Sequence, residues 1–164
     1  MNKRIFWCLN RFSGRMSSID YLMVLLSNYS RYFYVIVILF LWIRGSNSKE
    51  TSKNSMVSVA VAWVLNFIIG KTYYKPRPFI FHKVGLLSHS KRTSTFPSKH
   101  TILVFAVSTS IYLRNRILGR WMTCFSALVG FSRIWVGAHY PLDILGSALL
   151  GSIVSMMVNI QNKR

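Results

Sequence analysis

Residues 56–70 read M-V-S-V-A-V-A-W-V-L-N-F-I-I-G, an uncharged apolar block that stops at Lys71. Its apolar residues run together instead of recurring every three or four positions, so the block has no broad polar face to turn to water. Such a segment suits a helix in lipid, where each backbone N–H and C=O is satisfied within the segment itself. The same texture recurs along the chain. Apolar spans are expected at about 21–43, 56–74, 99–113, 119–137 and 141–160. Together they predict an all-α integral membrane bundle of about five transmembrane helices. Arg31 falls inside the first window, so that span either begins near it or is interfacial in its early part. The third is short for the roughly 20 apolar residues of a lipid crossing, and so is expected to begin inside protein. Asn66 is expected to bond a neighbouring helix, and the recurrence of Ser147, Gly151 and Ser155 marks a face for close helix packing. Between the first two spans, 44–55 reads as a polar loop with Gly and Ser turn signals.

Composition points the same way. Of the 164 residues, 52 % are hydrophobic, yet the formal net charge is +18. A soluble domain carrying that charge on nucleic acid would space its apolar residues periodically. Here they come in blocks, which places the charge in the loops of a membrane protein and excludes a nucleic-acid partner. Residues 1–164 are expected to form a single domain, with a core at about 20–160 and no internal repeat. The first 18 residues mix Lys3, Arg4, Arg11 and Arg15 with Ile5, Phe6, Trp7, Leu9 and Phe12. They predict a short amphipathic segment on anionic headgroups, without the long apolar core of a cleaved signal peptide. Cys8 and Cys124 suggest neither a disulfide framework nor a metal site.

Five spans put the long loop after the second and the short loop after the fourth on the same side. The chemistry-bearing residues therefore meet at one end of the bundle. Ser132 to Asp143, S-R-I-W-V-G-A-H-Y-P-L-D, places His139 four residues before one of only three acidic residues in the chain, Asp20, Glu50 and Asp143. A carboxylate on Nδ1–H is the usual device for fixing a histidine as base or nucleophile. The competing reading is an ordinary helix start, with Pro141 at the first position and Asp143 complementing the dipole. In the long loop, Arg77 stands between Pro76 and Pro78, a stiff extended setting for bidentate phosphate binding, with Lys71 and Lys75 nearby. Lys75, Lys83, Lys91 and Arg92 are expected to meet anionic lipid, and His82 and His89 to be solvated. Ser98 is placed to N-cap a helix starting at Lys99, whose free N–H groups form an anion site beside His100. If 133–139 is helical, Arg133 and His139 lie ~9 Å apart along the axis. An Arg near the centre of an apolar span costs ~2.5–3.5 kcal/mol, a cost better explained by an anionic ligand than by packing. Two histidines, one carboxylate and several cations around a capped helix start indicate phosphoryl transfer. With so few carboxylates to hold a divalent metal, metal-independent catalysis without a cofactor is expected.

These residues resemble the type 2 phosphatidic acid phosphatase superfamily of membrane lipid phosphatases. Its pattern is K-x-x-x-x-x-x-R-P, then P-S-G-H, then S-R-x-x-x-x-x-H-x-x-x-D. Ser132, Arg133, His139 and Asp143 match the third block throughout, and Pro97, Ser98 and His100 match the second, with Lys99 where Gly is usual. Arg77 and Pro78 match the first, while Lys71 stands one residue too close to Arg77, and Lys75 is the other lysine that can serve. The run G-F-S-R-I-W-V-G-A-H-Y-P-L-D-I-L-G-S and the P-R-P-F are most similar to bacterial undecaprenyl-diphosphatases of the bacitracin-resistance type.

The resemblance implies that His139 attacks phosphorus to form a phosphohistidine, oriented by Asp143. It implies that His100 protonates the leaving oxygen and then activates water, and that Arg77, Ser98 and Arg133 hold the phosphoryl oxygens. Lys99 is expected to serve the distal or bridging phosphate of a diphosphate. The expected substrate is a polyprenyl or glycerolipid phosphate, foremost undecaprenyl diphosphate. The alternatives are a broader phosphatidate or phosphatidylglycerophosphate phosphatase and a non-enzymatic binder of anionic lipid. A bacterial cytoplasmic membrane with the site on the outer side is the expected setting, on the charges carried by the opposite face.

Overall fold

The computed structural model describes residues 2–81, 87 and 94–162. His82, Lys83, His89, Lys91 and Arg92 lie outside the described residues, so the expectations made for them are not addressed. Seven helices follow in order: α1 (Asn2–Asn10), α2 (Ser17–Ile43), α3 (Ser46–Thr72), α4 (Pro78–Phe81), α5 (Lys99–Arg114), α6 (Arg116–Trp135) and α7 (Pro141–Gln161). Five of these are long, and among the described residues there is no strand. The protein is an all-α membrane bundle. α2, α3 and α7 are long and apolar enough to cross a membrane. Their outward faces carry large apolar side chains, with Ile36 64 % and Leu149 65 % exposed, as a lipid-facing surface requires.

At the centre stands α5, packed against α2, α3, α6 and α7. One apolar cluster joins Tyr34 and Ile38 of α2 to Val104 and Val107 of α5 and Val129 of α6. Another joins Ala62 of α3, Ile102 and Ala106 of α5 and Val154 of α7. The close α5–α7 approach depends on Gly151, where a Cβ would stand 2.3 Å from the Ile102 carbonyl oxygen. This is the small-residue face seen in the sequence, and it fixes α5, which carries His100, against α7, which carries Asp143.

Three boundaries differ from the sequence reading. Residues 46–55 are not a loop but the first three turns of α3. Thr51, Ser52, Asn54 and Ser55 are buried, whereas Lys49, Glu50 and Lys53 are exposed. Ser52 Oγ donates to the Ile38 carbonyl and Ser55 Oγ to that of Thr51, both at 2.8 Å, so the helix interior satisfies them. α2 runs unbroken from Ser17, with Arg31 in mid-helix instead of at its start. The N-terminal segment is docked as well as amphipathic. Phe6 is fully buried against Ile134, Tyr140 and Ile144, and Asn10 Nδ2 donates to the Trp135 carbonyl at 3.0 Å. Lys3, Arg4, Arg11 and Arg15 stay exposed.

Candidate active site

The site lies where α3 and α6 end and α5 and α7 begin. α6 stops at Trp135, so 133–139 is not the continuous helix on which the 9 Å spacing depends. Gly137, at φ 79°, takes the left-handed conformation that commonly closes a helix, and the chain folds back. The N–H groups of Ala138 and His139 then both donate to the Arg133 carbonyl, at 3.1 and 3.3 Å. His139 is thereby brought back over the last turn of α6 and is 2 % exposed.

The partner of its ring is a residue the sequence did not single out. His139 Nδ1 donates to the Thr95 backbone carbonyl at 2.7 Å and lies 3.2 Å from Thr95 Oγ1. A carbonyl only accepts, so Nδ1 carries the proton and Nε2 keeps its lone pair. Asp143 is therefore one residue removed from the position expected for it. Its Oδ2 accepts from Thr95 Oγ1 at 2.9 Å and from the Tyr140 N–H at 3.3 Å, and its Oδ1 pairs with Lys75 Nζ at 2.5 Å. The carboxylate thus positions Thr95, and Thr95 holds the imidazole. It also caps the first turn of α7, so the helix-start reading and the site reading describe the same side chain. Nothing in R-T-S-T-F-P distinguishes Thr95 from its neighbours. Only the fold, which joins 94–95 to Lys75 through Thr95 N–H to Lys75 O at 2.8 Å, selects it.

Lys75, expected either to meet anionic lipid or to serve in place of Lys71, pairs with Asp143. Pro76 and the bonds to 94–95 turn its side chain inward. Lys71 is exposed, its ammonium 5.4 Å from the Phe67 ring centre. It shares a cavity of about 290 Å³ with Arg77 and Lys99.

Arg133 and Arg77 are buried, 6 % and 9 % exposed. Arg133 Nη1 donates to the Ser27 hydroxyl and to the Ser27 carbonyl, which aims the guanidinium. Its buried Nε has no hydrogen-bond partner among the described residues. The charges of Arg133 and Arg77 act on both His139 and His100, which places all four in one electrostatic neighbourhood. Burial first, and then those two guanidinium groups, push the pKa of His139 well below the ordinary histidine value. Burial also lowers that of Arg77, against the opposing charge of Asp143.

Ser98 takes the N-cap position of α5 without a capping bond from its side chain. Its N–H donates to Ser147 Oγ at 2.7 Å, its carbonyl accepts from Ile102 N–H, and its hydroxyl accepts from Thr101 Oγ1 at 3.1 Å. Asn66 Nδ2 donates to the Pro97 carbonyl at 3.0 Å, so this intramembrane polar residue holds the segment entering α5. Asp20 is a further residue missed in the sequence. It accepts from Trp135 Nε1 at 2.8 Å and from the N–H groups of Gly14 and Met16, tying the α1–α2 turn to the end of α6. Among the described residues no three His, Cys, Asp or Glu side chains converge to hold a metal ion.

A buried imidazole bonded at Nδ1, with Arg133 and Arg77 acting on it at one end of a membrane bundle, is a candidate site for phosphoryl transfer. The comparisons with known proteins agree. Residues 52–164 match the PAP2 superfamily, and the chain belongs to that family. It is a membrane lipid phosphatase. It is 35 % identical over 158 residues to undecaprenyl-diphosphatase BcrC of Bacillus subtilis strain 168, covering 96 % of this chain and 82 % of that protein. It is 28 % identical to an undecaprenyl-diphosphatase of Sulfolobus acidocaldarius, covering 95 % and 76 %. Among solved structures, Aquifex aeolicus LpxE superposes with a TM-score of 0.84 at 26 % identity, covering 96 % of this chain and 93 % of that one.

Proposed function

We propose that this phosphatase hydrolyses undecaprenyl diphosphate to undecaprenyl phosphate and phosphate through a phosphohistidine on His139. The observation that carries the reading is the Nδ1–H bond from His139 to the Thr95 carbonyl, which leaves Nε2 free to attack. Nε2 forms the bond to the terminal phosphorus as the P–O bond to the lipid phosphate breaks. Protonated His100 gives its proton to that oxygen, and the bound substrate's negative charge offsets the surrounding cations and favours the protonated ring. Neutral His100 then takes a proton from water as the water oxygen attacks the phosphohistidine, and phosphate leaves with His139 restored. Arg133 and Arg77 stabilise the phosphoryl oxygens as charge spreads over them in the transition state. Ser98 and the first N–H groups of α5 are proposed to contact the same oxygens. Thr95 and Asp143 hold the tautomer, and Lys75 holds Asp143 in place through their ion pair.

The resemblance to proteins named undecaprenyl-diphosphatase supports the substrate. Sidedness follows from charge. Arg44, Lys49 and Lys53 at the α2–α3 turn and Arg114, Arg116 and Arg120 at the α5–α6 turn lie at the end opposite the site. With the basic loop of the site end set aside as functional, these charges outnumber Lys3, Arg4, Arg11 and Arg15, which supports a cytoplasmic location for that end and a site on the outer side of a bacterial cytoplasmic membrane, among anionic lipids.

Purified protein offered undecaprenyl diphosphate, phosphatidate and phosphatidylglycerophosphate side by side tests the reading. Phosphate release is expected to be fastest from the diphosphate and absent in His139→Ala. Faster release from either glycerolipid would overturn the substrate, and release persisting in the variant would overturn the mechanism.

A further inference from the structure

Arg31 is not accounted for by the site as built. It stands in the middle of α2, a helix long and apolar enough to span the membrane, where a guanidinium is unfavourable without a charged partner. No carboxylate serves it. Among the chain's three acidic residues, Asp20 bonds Trp135 and two backbone N–H groups, Glu50 pairs with Arg114, and Asp143 pairs with Lys75. Among the described residues its hydrogen-bond partner is Tyr32, whose hydroxyl accepts from Nη2 at 3.1 Å.

Its location is informative. Arg31, Lys99 and His100 line the mouth of one groove, about 250 Å³ in volume, whose other walls are apolar side chains of α2, α3 and α5 such as Val35, Trp63 and Leu103. The groove is thus cationic at the end next to His100 and oily beyond it. The charges of Arg31 and Lys99 reach the His100 ring together. Lys99 also faces the neighbouring cavity that holds Arg77, so the two cavities meet at this residue. An amphiphile whose head lies on His139 has its leaving group on the His100 side, and the next group along the molecule then falls at this mouth.

We infer that Arg31 and Lys99 form a second anion site that holds the lipid-side phosphate of a diphosphate, while its polyprenyl tail lies in the α2–α3–α5 groove. The inference rests on the phosphohistidine reading above and adds the determinant of specificity: a monoester has no group to place between these two cations. Both residues also stabilise the negative charge that builds on the lipid phosphate as the P–O bond breaks, so their contribution grows toward the transition state.

The test compares a polyprenyl diphosphate with the monophosphate of the same tail, both in nanodiscs, using Arg31→Gln, Arg31→Lys and Lys99→Gln. Arg31→Gln and Lys99→Gln are expected to lose at least about ten-fold more kcat/KM on the diphosphate than on the monophosphate, and Arg31→Lys to recover most of that loss. Equal losses on the two substrates, or none on either, would overturn the second site. Inhibition gives a measurement independent of turnover on the diphosphate. Methylenediphosphonate should weaken as a competitive inhibitor of monoester hydrolysis in Arg31→Gln, while inorganic phosphate does not; parallel weakening of both would again overturn it. His139→Ala separates the two readings. Release persisting in that variant defeats the phosphohistidine mechanism, whereas an inactive His139→Ala with equal losses in Arg31→Gln defeats the second anion site alone.

Discussion

The two ends of this bundle both bury polar groups, but they balance them differently. At the far end, Asn54 Nδ2 donates to Asn159 Oδ1 at 3.0 Å, and Asn159 Nδ2 donates to Ser110 Oγ at 3.0 Å. Ser110 shares a bond of 2.8 Å with Ser155, and Ser58 reaches Ser110 at 3.3 Å. Every member is neutral, and each has partners on another helix. At the site end the buried groups include Arg77, Arg133 and His139, together with two carboxylates: Asp20, bonded to Trp135 and two backbone N–H groups, and Asp143, paired with Lys75. Arg133 keeps a buried Nε without a partner among the described residues. A closed neutral network joins helices, whereas a buried guanidinium with an unpartnered Nε, as at Arg133, suits an anion supplied from outside. The contrast predicts that substitutions at the far end will be read in stability and those at the site end in rate.

The largest effect is expected at His139. His139→Ala should lower phosphate release by about 10³-fold or more with little change in melting temperature, measured by phosphate assay and thermal unfolding on the same preparation. Arg133→Gln comes next, with a fall of about 10²–10³ in kcat/KM, the size typical of removing a group that stabilises transition-state charge. Because this variant also removes a buried charge that has no carboxylate beside it, its melting temperature should hold or rise. A large loss of stability would break the comparison. Asn159→Leu is the converse. It leaves Asn54 Nδ2 without its acceptor and takes one of three partners from Ser110, and should cost about 1–3 kcal/mol of stability while activity per folded molecule stays at wild type.

A smaller effect is expected for Thr95→Val, which keeps the carbonyl that holds His139 but removes the hydroxyl that Asp143 accepts. About a ten-fold fall in kcat is expected, with Thr95→Ser restoring it, since the bridge needs only the hydroxyl. The smallest is a shift in pH dependence. Attack requires neutral His139, so kcat/KM rises with pH through the pKa of the free enzyme. Since burial and the arginines lower that pKa, the acid limb should fall below the ordinary value of ~6.5. Arg77→Gln removes one of those cations and should move the limb upward as well as lower the plateau. A limb at or above 6.5 that Arg77→Gln leaves unmoved would contradict the electrostatic account.

How much of this was legible in the sequence depended on whether the signal was local. The apolar blocks gave the long helices because lipid exposure requires uninterrupted apolar residues, and the spacing of Ser132 to Asp143 is carried within one helix end and one turn. The start of α3 was not legible, because Asn54 and Ser55 are polar yet buried, and composition cannot distinguish a polar face turned to other helices from a loop in water. Thr95 was invisible for a different reason. Its role rests on a carbonyl and a hydroxyl brought to His139 and Asp143 by contacts more than 40 residues apart in sequence. The same long-range pairing explains why Lys75 meets Asp143, as its direction is set by the bonds of 75 to 94–95 and not by spacing from Arg77.

The claim that organises the account is that His139 carries the phosphoryl group through its free Nε2. Rapid quenching of the enzyme during turnover of a terminally ³²P-labelled diphosphate, followed by digestion and peptide mapping, tests it directly. The account predicts an acid-labile, base-stable label on the peptide containing His139, lost in His139→Ala and longer-lived when His100→Ala removes the base for hydrolysis. A wild-type enzyme that turns over without any such label, or label that remains in His139→Ala, would contradict it.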